Sequence, residues 1–428
     1  MTEKPQKNRD LTLPACLWLG LFPLLHLGSY ATLTRDKWFW MLALTAVTLA
    51  CFIWSLVSAR RPLRFCPAHV AALGLLVCMV LSSVLSPLGF SACIPGTSAR
   101  MEGLLTEGIY LLLFCCFSFA SVRWKPVLFS AAAGLLGFTA VALLQRAGGN
   151  PFGLYPEGRS YAANPEFLST VGNIDMCAGY LTVLSGLFLS GFARYRFREG
   201  YRTVSACCLA GLLISAVLLW MIRVQFGIIT LALLFLATAF LSLPARRRWF
   251  FAAAVVLLAL LLLFLLPVES GGLWELRETL CGRPQDSFGS NRLGVWRYTL
   301  DLCLRRPFLG GGADTFAPRF AAYLADNGLS LPAYRGTTPL PVSFDTPHNE
   351  YLALFVNHGF PALLLFGALA FLALRTPHGI PEEWKKRQRI AAAGVFCYLV
   401  QAFFSFSVCI VAPLFWVLLG LACSREES

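Results

Sequence analysis

Charge is what this sequence has least of. Acidic and basic residues together make up 13% of its 428 residues, about half the share found in a soluble domain. That deficit, with 57% hydrophobic residues, excludes an ordinary soluble fold. Strict apolar–polar alternation is also missing, which excludes a β-barrel. Helices remain as the other structure that satisfies its own backbone in lipid. Several catalytic signatures are absent too. There is no Walker A segment, so no nucleotide-driven pump is indicated. No D-x-D marks a divalent metal on a nucleotide-sugar, and neither H-E-x-x-H nor G-x-S-x-G occurs. Fifteen cysteines show no C-x-x-C and no metal-type spacing. Most lie in apolar runs, where cysteine packs as a small hydrophobe. Cys93 and Cys281 fall in loops on the same predicted side, so a disulfide between them is one reading. The opening MTEKPQKNRD precedes an apolar run without an A-x-A-like cleavage site, and an uncleaved first helix is expected.

What is present is a series of apolar runs of the length needed to cross a hydrocarbon core, about 20 residues each. Twelve spans are expected, at about 13–32, 38–58, 66–86, 104–121, 126–144, 171–192, 203–222, 224–243, 250–267, 349–374, 390–408 and 410–423. Residues 203–243 form one long apolar stretch broken only by Arg223 and Gln225. A single helix of that length would reach about 60 Å, twice the core thickness, so the chain must turn near Arg223. The fold class is therefore an all-α integral membrane protein of about twelve transmembrane helices. It divides into a nine-span bundle over 1–267, a loop over 268–348 and three spans over 349–428.

The net charge of +13 fits orientation in a membrane better than nucleic-acid binding. Basic residues concentrate in alternate connections. One set holds Lys4, Lys7, Arg9, Arg60, Arg61, Arg64, Arg123, Lys125, Arg194, Arg196, Arg198, Arg202 and Arg246 to Arg248. Arg375, Lys385, Lys386, Arg387, Arg389 and Arg425 complete it. The short connections of the other set hold only Arg35, Lys37, Arg100, Arg146, Arg159 and Arg223. This bias predicts both termini in the cytoplasm and the 268–348 loop outside. Such a loop is far longer than usual and looks ordered. SNRLGVWRYTLDLCLRRP (290–307) repeats apolar residues at Leu293, Trp296, Leu300 and Leu304, with Ser290 or Asn291 to cap it and Pro307 to end it. DTFAPRFAAYLADNG (314–328) repeats the pattern with Phe316, Phe320 and Leu324 and closes on Asn327-Gly328. Both are expected to be amphipathic helices at the outer membrane surface, separated by a Gly-rich turn.

The residues that could do chemistry gather at that face. In FDTPHNEY (344–351), Thr346 is a good cap and Pro347 a good first helical residue, which predicts His348 in the first turn of the tenth span. The positive end of a helix holds anions and disfavours imidazolium. A neutral His there suits general-base work; an interfacial His that merely caps or snorkels is the competing reading. Asn349 either orients His348 or caps the helix. Arg223 is the lone charge of the double span, and a charge at that depth is costly and usually functional. Arg292 opens a loop helix. Arginine suits bidentate phosphate binding. Arg100 and Glu102 stand at the start of the fourth span, and Glu107 within it needs a partner, a structural ion pair with a basic neighbour being the plain reading. Asn173 and Asp175 open the sixth span, as caps or as contacts to a sugar.

Taken in order, these segments resemble the O-antigen ligase and O-antigen polymerase superfamily. HNEYLALFVNHGF is similar to its His-Asn … Gly signature, with His348, Asn349 and Gly359. NRLGVWRYTLDLCLRRPFLGGGADTF is similar to its R … W … P-x-x-G-x-G segment, with Arg292, Trp296, Pro307, Gly310 and Gly312. RMEGLL and FLSTVGNIDMCAGYL resemble its second loop motif and its G-N-x-N segment. Three positions depart from the pattern: Ala362 after Pro361, the MIRVQFG around Arg223, and Asp175 where Asn is usual. The resemblance implies a GT-C-like glycosyltransferase of the bacterial plasma membrane, inverting and independent of metal or other cofactor. Its donor would be a glycan on undecaprenyl diphosphate and its acceptor a lipid A core or another glycan. Mapped onto this chain, Arg223 and Arg292 would bind the diphosphate and His348 would act at the acceptor or diphosphate. Within the superfamily, ligase and polymerase both fit. A lipid-linked glycan flippase is the alternative from another class, but it would carry polar residues along a mid-membrane path. A scaffold protein gives no reason for cations gathered at one surface.

Overall fold

The computed structural model describes residues 9–59, 62–156, 167–331, 344–375 and 382–425. Lys4, Lys7, Arg60, Arg61 and Arg159 lie outside the described residues. Among those described, the backbone is helix and connecting loop, with one isolated bridge between Asp10 and Ser121.

The first helical run, α1 (Thr12–Leu24), passes from α to π to 3-10 geometry as it reaches Pro23. The Nζ of Lys37 donates to the carbonyls of Phe22 and Pro23, at 3.0 and 2.7 Å. Lys37 thus lies inside α2 (Leu33–Ala59), fully buried, rather than in the connection before it. Then follow α3 (Pro67–Val84), α4 (Leu104–Ser118), α5 (Trp124–Arg146), α6 (Ile174–Tyr195) and α7 (Arg202–Ile222). The expected turn is present: α7 stops at Ile222, Arg223 takes a left-handed backbone conformation (φ 57°), and α8 (Gln225–Ser242) begins. α9 (Ala245–Leu265) closes this part of the chain.

Among its described residues, the long loop holds three helices: α10 (Gly272–Leu280), α11 (Arg292–Arg305) and α12 (Phe316–Asp326). The first was not expected. In α11 the packed face is Val295, Tyr298 and Leu302, while Leu300 and Leu304 remain 44% and 71% exposed. With Phe316, Phe320 and Tyr323 of α12 and Val356 of the next helix, this face makes a small core of its own. Neither Ser290 nor Asn291 caps α11 through its side chain; Asn291 holds the cap position with a left-handed backbone (φ 68°). Three helices complete the chain: α13 (Glu350–Leu374), α14 (Glu382–Ala402) and α15 (Ala412–Cys423).

Among the described residues, eight helices are long and apolar enough to cross a membrane: α2, α3, α5, α6, α7, α8, α9 and α13. The chain is therefore a multi-pass membrane protein. α1, α4 and α15 are shorter apolar helices, and α14 opens with the charged run EEWKKRQR. At about 1.5 Å per residue, α15 is only about 18 Å long, yet every residue from Ala412 to Cys423 is buried. The centre of the bundle is α6, in which every residue from Met176 to Phe188 is buried. It packs against α7 and α14, while α15 packs against α4 and α14, and α13 against α3. Small residues let backbones approach, as small residues do in membrane bundles: a Cβ on Gly186 would lie 2.5 Å from the Ala393 carbonyl. α9 buries only Leu263 and forms the apolar rim.

Polar contacts tie the helix ends together. At one end Arg194 bonds Glu383 at 2.9 Å and Lys125 donates to the Gly200 carbonyl. At the other, the starts of α4, α6, α8 and α13 gather beneath α11 and α12, tied by Arg100–Asp345, Arg292–Asp175 and Trp296–Pro347 contacts.

Candidate functional site

The break in α13 organises this end. Gly359, with φ 83° and ψ 172°, interrupts the helix two residues before Pro361. An interruption at membrane depth frees backbone groups that need new partners. The Gly-rich turn after α11 supplies them. Phe360 N–H donates to the Pro307 carbonyl at 2.7 Å, Gly311 N–H to Val356 at 3.0 Å and Gly312 N–H to Asn357 at 2.8 Å. Arg319 adds a guanidinium donor to the Val356 carbonyl at 2.7 Å. A Cβ on Gly359 would strike the Phe308 carbonyl, and one on Gly310 the Asn357 carbonyl. Glycine is required at both, since both also have positive φ. The turn is held from its other side by Ser86, whose hydroxyl donates to Gly311, and by Ser83, which accepts from Ala313 N–H.

Above the break lies the lip that carries His348. The structure corrects its expected place. The helix begins at Glu350, and its cap is Asn349, whose side-chain oxygen accepts from Leu352 N–H at 3.0 Å. Thr346 and Pro347 precede the helix and neither caps it. His348 stands one residue outside the cap in a left-handed conformation (φ 51°). Asn349 is thus a cap. His348 stays neutral for a different reason from the one expected. Burial, then the positive charges of Arg292 and Arg100, push its imidazole down to about 4. Its ring meets Phe406 edge-on at 5.1 Å, and its Nδ1 is buried without a hydrogen-bond partner.

The cations around it are fixed from several helices. Arg100 forks onto Asp345 with bonds of 2.9 and 2.7 Å and lies 3.6 Å over the same Phe406 ring. Arg292 reaches Asp175 at 3.4 Å and stands 5.1 Å over the ring of Phe226, in the first turn of α8. Phe226 stacks on Phe404 at 4.0 Å, and Trp296 packs against Phe403 and Phe404. The Trp296 indole donates to the Pro347 carbonyl at 2.9 Å. Arg100 and His348 thus share the Phe406 ring, Arg292 stands on the group of Phe226, Phe403, Phe404 and Trp296, and both guanidinium charges act on His348. Arg223 is less integrated: it is exposed, and no hydrogen bond or ion pair joins it to the other described residues. Phe226, three residues along, is what links its turn to Arg292. Asn173 caps α6 by accepting from Asp175 and Met176 N–H, at 2.8 and 3.3 Å. Cys93 and Cys281 are both free thiols.

Beneath the lip is a cavity of about 90 Å³. Asp345, Thr346 and Pro347 form its rim and Glu107 and His358 are among its walls. Burial pushes the Glu102 carboxyl up to about 8, and the Tyr110 hydroxyl donates to it at 2.8 Å. Glu107 has the basic partner its depth demanded: its Oε1 lies 2.7 Å from His358 Nε2. His358 Nδ1 lies 2.8 Å from the Ser82 hydroxyl. Asp314 ties the Gly-rich turn to the loop before α4 through the Ser98 N–H and hydroxyl, at 3.0 and 2.7 Å.

Comparison with protein families meets this geometry at its centre. The sequence model of a family described as O-antigen ligase matches residues 210–367. This segment is similar to the O-antigen ligase family. It covers less than half of the chain and bears out the resemblance to the ligase and polymerase superfamily. No curated protein matches the chain. The O-antigen ligase segment contains Arg223, Arg292, His348 and His358. Arg100, Glu102, Glu107, Asn173 and Asp175 precede it, and the fold brings all of these except Asn173 into contact with the segment or onto the cavity it lines.

Sequence reasoning missed His358, Arg319, Asp314 and the pairing of Asp345. A signal for His358 was available. It is one of five histidines, it sits beside the Gly that breaks the helix, and Glu107 needed a basic partner at similar depth.

Proposed function

We propose that this protein transfers a glycan from an undecaprenyl diphosphate carrier to a hydroxyl-bearing acceptor, as an O-antigen ligase or polymerase. The observation that supports it most is the grouping of Arg292, Arg100 and an uncharged His348 at one end of α13, inside or against the O-antigen ligase segment. On this reading the chain crosses the plasma membrane twelve times in a GT-C-like arrangement, with both termini cytoplasmic and the site on the outer face.

The chemistry needs little more than placement and charge. The acceptor oxygen attacks the anomeric carbon, the bond from that carbon to the diphosphate oxygen breaks, and the configuration inverts. Negative charge grows on the diphosphate, and fixed cations aimed at it lower the barrier. Arg292 takes that role, joined by Arg223 from the turn that Phe226 links to it, and no metal is needed. The proton of the acceptor hydroxyl passes to the free Nδ1 of His348. A weak base suffices when the proton leaves late, after the new bond has made the hydroxyl acidic. α11 and α12 cover the site and keep water from the donor.

The test is transfer in lipid nanodiscs with an undecaprenyl-diphosphate-linked oligosaccharide as donor. Core lipopolysaccharide and the donor's own oligosaccharide are offered as competing acceptors. Product on the core identifies a ligase, and product of doubled glycan length a polymerase. No product on either acceptor, with carrier intact, overturns the proposal.

A further inference from the structure

The diphosphate site and the cavity are sorted by charge. Five carboxyl groups line the cavity (Glu102, Glu107, Asp314, Asp345 and Glu350) against the single guanidinium of Arg100, which Asp345 already pairs. A diphosphate would be repelled there. Arg292, the cation best placed for it, stands outside the cavity on Phe226. A neutral, hydroxyl-rich group has the opposite preference: carboxylates accept its hydrogen bonds and aromatic faces take its C–H edges. Phe366 and Trp416 supply those faces.

Glu107 is the group in this cavity with an unused bond. One oxygen is fixed by His358, which is itself held by Ser82, and the other oxygen is buried without any partner. A buried carboxylate oxygen left unpaired is costly. An acceptor hydroxyl would satisfy it. His358 belongs to the broken stretch of α13 whose geometry the Gly-rich turn enforces, so the pair is set by backbone bonds rather than by flexible side chains. The volume of about 90 Å³ would hold on the order of six waters, or the polar edge of one sugar ring. Its rim at Asp345 to Pro347 adjoins His348 in the chain.

We propose that this cavity is the subsite for the acceptor's terminal sugar, with Glu107 accepting a hydrogen bond from one of its hydroxyls and His358 acting as the positioning residue. The inference rests on the glycosyl-transfer reading above and names the half of the site which that reading leaves open.

The experiment measures initial rates in nanodiscs with core lipopolysaccharide and the free oligosaccharide as acceptor probes. Binding of undecaprenyl diphosphate alone is followed in parallel by thermal shift. Glu107→Gln should raise the acceptor KM by about ten-fold or more and leave the undecaprenyl diphosphate shift unchanged. His358→Gln, which keeps a donor toward Glu107, should raise the acceptor KM less than His358→Ala. Ala353→Phe, which fills the cavity from α13 and keeps both members of the pair, should reproduce the rise if Glu107→Gln does not fold. An unchanged acceptor KM in both Glu107→Gln and Ala353→Phe overturns the subsite while transfer by the wild type stands. Proportional loss of carrier binding and acceptor KM in Glu107→Gln also overturns it, because a merely structural pair would behave so. A wild type that transfers to neither probe overturns the glycosyl-transfer reading and the subsite with it.

Discussion

Trp296 donates its indole N–H to the carbonyl of Pro347, 2.9 Å away. The bond joins the helix that carries Arg292 to the residue immediately before His348. It is the shortest route by which the two halves of the proposed site keep register. Trp296→Phe keeps an aromatic ring against Phe403 and Phe404 but removes the donor. One neutral hydrogen bond is worth about 0.5–1.5 kcal/mol, so transfer should fall by roughly three- to ten-fold in kcat/KM with little change in thermal midpoint. Unchanged turnover would show that the lip holds its place without this bond.

Arg292 pairs only loosely with Asp175, at 3.4 Å, which leaves its guanidinium free to turn toward a diphosphate. Arg292→Ala should raise the donor KM by roughly ten- to a hundred-fold, the scale of a lost charge-assisted bond, while acceptor KM holds. Arg292→Lys should recover part of it, since the charge returns without the fork. A change confined to acceptor KM would move Arg292 out of the diphosphate site.

Charge supplied by arginine also predicts indifference to chelation. EDTA should leave the rate of the purified protein unaltered. Loss of activity that Mg²⁺ or Mn²⁺ restores would contradict that assignment.

The lowered imidazole of His348 sets the pH response. On the proposed mechanism its neutral form is the active one, and that form persists down to about 4. The rate should therefore hold as pH falls through the ordinary histidine value and decline only nearer 4. Stability follows the same sign. A group depressed on folding stabilises the protein above its unfolded pKa, near 6.5, and that contribution is lost as pH falls from there toward 4. An acid limb centred near 6.5 in kcat/KM would show that His348 is solvated in the working enzyme.

The break in α13 is testable by adding one carbon. Gly359 and Gly310 have positive φ and a carbonyl where a Cβ would go. Gly359→Ala and Gly310→Ala should each destabilise by more than about 1 kcal/mol, read as a lower thermal midpoint, and should impair transfer. Gly367→Ala, on the same helix with open space at its Cβ, is the control and should melt as the wild type does. Equal midpoints for all three would mean that the turn does not clamp the break.

Much of this was legible in the sequence, for local reasons. Apolar run length located every helix of the bundle, and the length argument found the turn at Arg223. It did not give the helix lengths, since α15 is as apolar as the longer helices but about half as long. At the lip, Thr346-Pro347 reads as a cap followed by a first turn. Asn349 takes the cap because its side chain reaches Leu352 N–H once the backbone at His348 turns left-handed. Periodicity in α11 marked Leu300 and Leu304, yet the packed face is the neighbouring stripe. That choice was made by α12 and α13, which lie elsewhere in the chain. The Glu107–His358 pair joins residues 251 apart. The demand for a partner could be read locally, and the partner's identity could not.

The most direct test of the account is single-turnover transfer of a radiolabelled glycan from undecaprenyl diphosphate in nanodiscs, comparing wild type with His348→Ala. The account predicts that the variant inserts, binds the carrier as the wild type does, and forms at least about a hundred-fold less product. A His348→Ala protein that forms product at the wild-type rate would contradict it.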